Sequence, residues 1–285
     1  MSSRPTYTET ENELTVKANK RTFIFSKKDG QLKGVSVDNR KINFANGPRF
    51  IGARRADRSL DQFYNHDDEK AKEKDRTYSE FPDAAVFTKL DVKQDGGDLV
   101  VTANYKLGNL DKAQWTINPS GELALDYTYN FSGVVDLMGI RFDYPEDQVI
   151  SKRWLGAGPY RVWQNRIHGT QYDVWENDYN DPIPGETFTY PEFKGYFGDV
   201  SWMNIQTKEG TISLTNEAPD AYIGVYQPRD GRDRLLYTLP ESGISVLNVI
   251  PPVRNKVNST DLCGPSSQPK WVNGPQTGRV IFRFM

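Results

Sequence analysis

The chain has 285 residues, with 36 Lys and Arg against 38 Asp and Glu, for a formal net charge of -2. So even a balance leaves no electrostatic footprint for nucleic acid or a membrane surface, and no apolar run of about 18 residues is present to cross a bilayer as a helix. The single cysteine, Cys263, excludes an internal disulfide and argues against a cysteine-based metal site.

Hydrophobic residues make up 36% of the chain and aromatics 12%, so the core is expected to be rich in rings, with further Tyr and Trp at wet contact surfaces. In chain order, ELTVKA and RTFIFS read as strands, followed by a turn at Lys28-Asp29-Gly30 and the strand QLKGVSVD. Residues 57–80 read as a charged surface insertion. Within it, SLDQFYNHDDEKAKEKD (59–75) is the best helix candidate, a surface helix at most. AAVFTKLDVK resumes the strands. After Asp95-Gly96-Gly97-Asp98, the residues Leu99, Val101, Ala103, Tyr105 and Leu107 alternate with polar neighbours. KAQWTIN, the turn Asn118-Pro119-Ser120-Gly121 and a second alternating run, Leu123 to Phe131, follow. MGIRFDY is the next strand.

Residues 154–178, WLGAGPYRVWQNRIHGTQYDVWEND, read as an aromatic contact loop that opens on a strand end and a Gly-Pro break. DVSWMNIQ and TISLTNE form a hairpin about Lys208-Glu209-Gly210. AYIGVYQ and ISVLNVI precede a second Gly/Pro/Ser loop, 261–275, and RVIFRF closes the chain. So many short strands at hairpin spacing predict an all-β chain with very little helix. The expected architecture is one large antiparallel β-supersandwich over 1–285. A propeller is the rival, but no blade repeat is visible.

Motifs for nucleotide, zinc-peptidase and serine-hydrolase chemistry are absent, and two histidines are few for a metal site, so no cofactor and no metal are expected. His66 sits in Tyr64-Asn65-His66-Asp67-Asp68, where a His–carboxylate pair could move protons, although the charge run favours a solvated loop. Trp163, Arg166, His168 and Trp175 bring ring faces and hydrogen-bonding groups into one stretch. Rings stack on the apolar faces of sugars, and polar groups bind hydroxyls; packing against another surface is the equal alternative. Trp271 adds an aromatic to the second loop. Glu176, Asp178, Glu186 and Glu192 could supply an acid/base pair, although most such carboxylates are solvated surface. Cys263 reads as a structural thiol. Asn130-Phe-Ser132 and Asn258-Ser-Thr260 match the glycosylation sequon, a pattern common by chance.

Three motifs occur in the order found in one known family. The first runs through Phe25, Gly30, Leu32, Gly47, Pro48, Arg49, Arg55, Ala56 and Asp57. The second comprises Trp154, Gly156, Gly158, Pro159, Trp163 and Arg166, with Trp175 and Glu176. The third comprises Pro191, Gly195, Asp199, Val200 and Trp202. Together they resemble the C-terminal β-sandwich domain of family 2 β-galactosidases. The chain departs from that pattern at Pro191-Glu192-Phe193, at Phe197 and in the segment after Ala56.

The resemblance implies a galactose-mutarotase-like supersandwich. It also implies that the glycosidase glutamates lie in a separate (β/α)₈ barrel. The chain would then be an accessory domain whose partners are that barrel and a galactoside-like carbohydrate. In some members a Trp near the end of the domain reaches the sugar site, and Trp271 is the matching position. Two alternatives stand beside this one. A stand-alone aldose 1-epimerase would use His66 or His168 with Glu176 or Glu192 as acid and base. A free sugar-binding module would use the same aromatics without catalysis. The N-terminus has no apolar signal segment. The chain therefore reads as soluble: either a cytoplasmic protein or a piece of a longer bacterial periplasmic or secreted glycosidase.

Overall fold

Alternation along the chain becomes two antiparallel sheets laid face to face. The computed structural model describes residues 3–55, 78–179, 195–218, 220–226, 240–252 and 264–285. Within these, the strands β1 (Thr6–Glu9), β2 (Glu13–Ala18), β3 (Arg21–Ser26), β4 (Leu32–Val37), β5 (Arg40–Ile42), β6 (Ala45–Arg55) and β7 (Tyr78–Glu80) come first. Then come β8 (Val86–Asp95), β9 (Asp98–Lys106), β10 (Leu110–Ile117), β11 (Leu123–Val135), β12 (Leu137–Asp143), β13 (Val149–Gly158) and β14 (Gln171–Asp178). The last five are β15 (Trp202–Thr207), β16 (Gly210–Asn216), β17 (Tyr222–Val225), β18 (Ile244–Val249) and β19 (Lys270–Phe284). Helical structure among the described residues is limited to 3₁₀ turns such as Glu146–Gln148 and Pro265–Ser267.

The ten-stranded sheet runs β1-β2-β3-β4-β6-β12-β18-β17, with β5 on β4 and β7 on β6. The nine-stranded sheet runs β14-β13-β15-β16-β19-β11-β10-β9-β8. Two-residue turns set several registers. Asn19 and Lys20 both take positive φ (40° and 66°) between β2 and β3, as do Asp38 and Asn39 (49° and 64°) between β4 and β5. Two left-handed residues in a row match the twist of the flanking strands. Between β10 and β11, Asn118 Oδ1 accepts the backbone N–H groups of Ser120 and Glu122.

The main core lies between the sheets and draws residues from Leu14 through Phe284. Rings dominate it. The Phe44 ring lies 4.8 Å from Phe142, 5.1 Å from Phe282 and 5.4 Å from Phe284. Each buried Phe contributes about 1.5–3 kcal/mol by removal from water. A second, smaller cluster covers the opposite face of the ten-stranded sheet. Ile51, Leu137 and Leu247 alternate with main-core neighbours Phe50, Met138 and Val246, and Val162, Trp163, Tyr196 and Ile250 lie over them. The chain after β13 therefore folds across the outside of the other sheet.

This architecture bears out the expected all-β sandwich and replaces the propeller. Three local expectations need correction. The stretch read as a loop over 154–178 includes the end of β13 and all of β14, and the loop read over 261–275 becomes strand β19 from Lys270. Residues 78–80 of the supposed insertion form β7, paired with Ala53 to Arg55. The helix candidate at 59–75 lies outside the described residues.

Candidate functional site

The aromatic stretch begins at a close approach. A Cβ on Gly158 would sit 2.4 Å from the Trp175 ring, so only glycine lets the indole lie on the β13 backbone there. Trp175 Nε1 donates to the Gln171 carbonyl (3.1 Å), and the ring is partly buried against the main core. Past Pro159, Val162 and Tyr196 exchange backbone hydrogen bonds (2.7 and 2.9 Å), and Trp163 and Arg166 do the same (3.1 and 2.9 Å). Gln164 and Asn165 thus form the tip of a tight turn. Trp163 is 7% exposed and meets Tyr196 edge-on at 5.7 Å. Its faces are spent on packing, and its Nε1 has no partner among the described residues.

That turn is fastened to the second Gly/Pro/Ser segment. Gln164 Nε2 donates to the backbone oxygens of Ser266 (2.9 Å) and Gln268 (2.6 Å), and its backbone N–H donates to Pro251 O (3.0 Å). Asn165 Nδ2 reaches Ser267 Oγ at 3.4 Å. Two segments that look separate in sequence therefore form one joint, and the second leads directly into β19.

Trp271 stands just beyond this joint, on β19 opposite Val134, and is 71% exposed. The other tryptophans are withdrawn: Trp115 and Trp154 are core, Trp163 is buried, and Trp175 and Trp202 are half-buried. His168 is exposed on the turn before β14. Glu176 is exposed on β14, directly across from Arg153. No hydrogen bond or ion pair joins His168 to Glu176. Arg166 is half-buried in the same turn as Trp163. His66, Glu186, Glu192 and Cys263 lie outside the described residues.

Trp202 closes the third sequence motif. Trp202 sits on the outer face of the nine-stranded sheet, in register with Leu155 and Thr215, and Thr215 pairs in turn with Ile281. Tyr172 lies on the same face, its hydroxyl 2.6 Å from Ser201 Oγ. Nearby, Arg279 bonds both Asp126 (2.7 Å) and Glu217 (3.1 Å). On the ten-stranded sheet, Arg49 and Arg141 face each other across β6 and β12, and Arg49 pairs with Asp143. Burial pushes the neighbouring Asp83 carboxyl up, with the two guanidiniums pulling the other way. Among the described residues no group of three or more His, Cys, Asp or Glu is placed to hold a metal ion.

Residues 17–255 match the family model described as beta galactosidase small chain. Similar solved structures include a galactose 1-epimerase from Lactobacillus acidophilus NCFM, 10% identical, with a TM-score of 0.48 over 100% of this chain and 99% of that one. An aldose epimerase homologue from C. elegans is 8% identical, with a TM-score of 0.44 over 99% of each chain. No curated protein matches the sequence. The chain belongs to the β-galactosidase small chain family.

Proposed function

We propose that this chain is a carbohydrate-associated accessory domain of a β-galactosidase-like glycoside hydrolase. On this reading residues 1–285 form one supersandwich. It packs on a separate catalytic barrel and helps line the sugar site. Family membership supports the class of parent enzyme, and fold alone would not. The observation that carries the local reading is Trp271. It is a large ring left 71% exposed at the start of a strand whose approach is tied down by Gln164. A ring held out on a braced strand costs little entropy when it stacks on a partner. Arg166, in the same tight turn as Gln164, and the exposed His168 two residues beyond it would extend that contact surface, whereas Trp163 is packed into the smaller cluster and Trp175 rests on β13 against the main core. This role asks no acid or base of the chain.

Tryptophan emission of the whole chain, titrated with galactose, lactose and a methyl galactoside, tests the reading. A saturable change in the wild type that disappears in Trp271→Ala is expected. No change up to tens of millimolar sugar overturns it, as does a change that Trp271→Ala retains. Anomeric-proton exchange measured by NMR tests the non-catalytic part: faster α/β interconversion of galactose on adding the chain would overturn it in favour of an epimerase.

A further inference from the structure

We infer that the outer face of the nine-stranded sheet is a binding track for an extended, neutral oligosaccharide, running from Trp271 to Trp202. The inference rests on the carbohydrate reading above and adds the ligand's length and path.

Strand alternation places Trp271, Asn273, Pro275, Thr277, Arg279 and Ile281 of β19 on one face. Their β11 partners extend the same rungs: Val134, Ser132, Asn130, Thr128, Asp126 and Ala124. The face is aromatic at one end, then amide and hydroxyl, then charged. Ser132 Oγ and Asn273 Oδ1 already bond at 2.8 Å across one rung. Ile281 and its rung partner Ala124 are buried (8% and 5% exposed) and form the floor of the row at this end, where Thr215 links it to the half-buried Trp202, with Tyr172 on the same face beyond. Rings therefore stand at both ends of a polar ladder.

Midway, the surface sinks into a groove of about 320 Å³ lined by Lys112, Asp126, Thr128, Glu217, Thr277 and Arg279. It holds two cations and two carboxylates, and Arg279 is shared between both acids. A charged ligand would have to break that lattice to gain a partner. A neutral polyol does not: its hydroxyls can donate to the carboxylates and accept from Arg279, Lys112 and the threonines. Length then selects the ligand. Ten residues separate Trp271 from Ile281, about 34 Å at the strand rise, and Trp202 lies two strands, about 10 Å, to the side. One or two sugar rings cannot touch both tryptophans, whereas a chain of several can.

The test is a titration of the full chain with β-linked galacto-oligosaccharides of increasing length, from disaccharide to hexasaccharide, by calorimetry. Affinity is expected to rise about tenfold or more across the series. Trp202→Ala and the near-isosteric Thr277→Val should lose that gain while keeping disaccharide affinity, and Trp271→Ala should weaken every member. A cooperative denaturant transition with the wild-type slope identifies the folded variants, and Thr277→Val answers alone if Trp202→Ala does not fold. Disaccharide binding with no gain from length overturns the track and leaves the Trp271 site standing. So does a length-dependent gain that survives in Thr277→Val and Trp202→Ala. Failure of every member to bind overturns both.

Discussion

Trp163 and Trp271 invite comparison, because each follows a Gly/Pro break and each looks equally suited to meet a sugar. The structure treats them oppositely. Trp163 is 7% exposed, edge-on to Tyr196 and part of the cluster over Ile51, Leu137 and Leu247. Trp271 is 71% exposed on β19. A ring in a loop is thus committed to packing or left for recognition by what the rest of the chain lays against it. The Trp163 turn crosses the outside of a sheet whose apolar residues need cover. On β19, Trp271 has Val134 across the rung on β11 and stays exposed.

Substitution at both positions would break that contrast if it were wrong. Trp163→Ala should cost about 3–5 kcal/mol, as a large buried ring does, seen as a lower denaturant midpoint at unchanged slope. Trp271→Ala should move the midpoint by less than about 0.5 kcal/mol. Comparable losses at the two sites would erase the distinction. A smaller effect is expected at Gly158. Its replacement by Ala puts a methyl into the Trp175 ring, costs about 1–3 kcal/mol and shifts the tryptophan emission. Unchanged emission would mean that the indole does not rest on that backbone. A loss of similar or smaller size sharpens the comparison at the joint itself. Gln164→Ala removes two hydrogen bonds to the 264–268 segment, for about 1–2 kcal/mol, and should speed amide exchange at Ser267 and Gln268. Protection unchanged there would mean that the two segments are not held by Gln164.

Much of the fold was legible because a strand with one dry face announces itself. ELTVKA and RTFIFS coincide with β2 and β3, and the two alternating runs fall on β9 and β11. β14 was missed for a physical reason. It is a sheet edge whose residues are nearly all exposed, so its sequence carries no alternation to read. β13 hides its period in another way, with Lys152 buried and glycines at 156 and 158. The motif resemblance did identify the family. At the candidate site, residue types marked Trp163, Trp175 and Trp271 alike. Burial, which separates them, comes from segments distant in sequence. The row from Ile281 to Trp202 depends on three strands whose register no local pattern states.

The position of β14 has a further consequence, for how copies of this chain meet in solution. An unpaired edge strand is an invitation to a second molecule to extend the sheet. This edge carries Asp173, Glu176 and Asp178 within eight residues. Two such edges brought together would set six carboxylates along a single seam. Among the described residues β14 has no strand beyond it, and its acidity disfavours pairing of this margin with a second copy of itself and favours strands that bring positive charge.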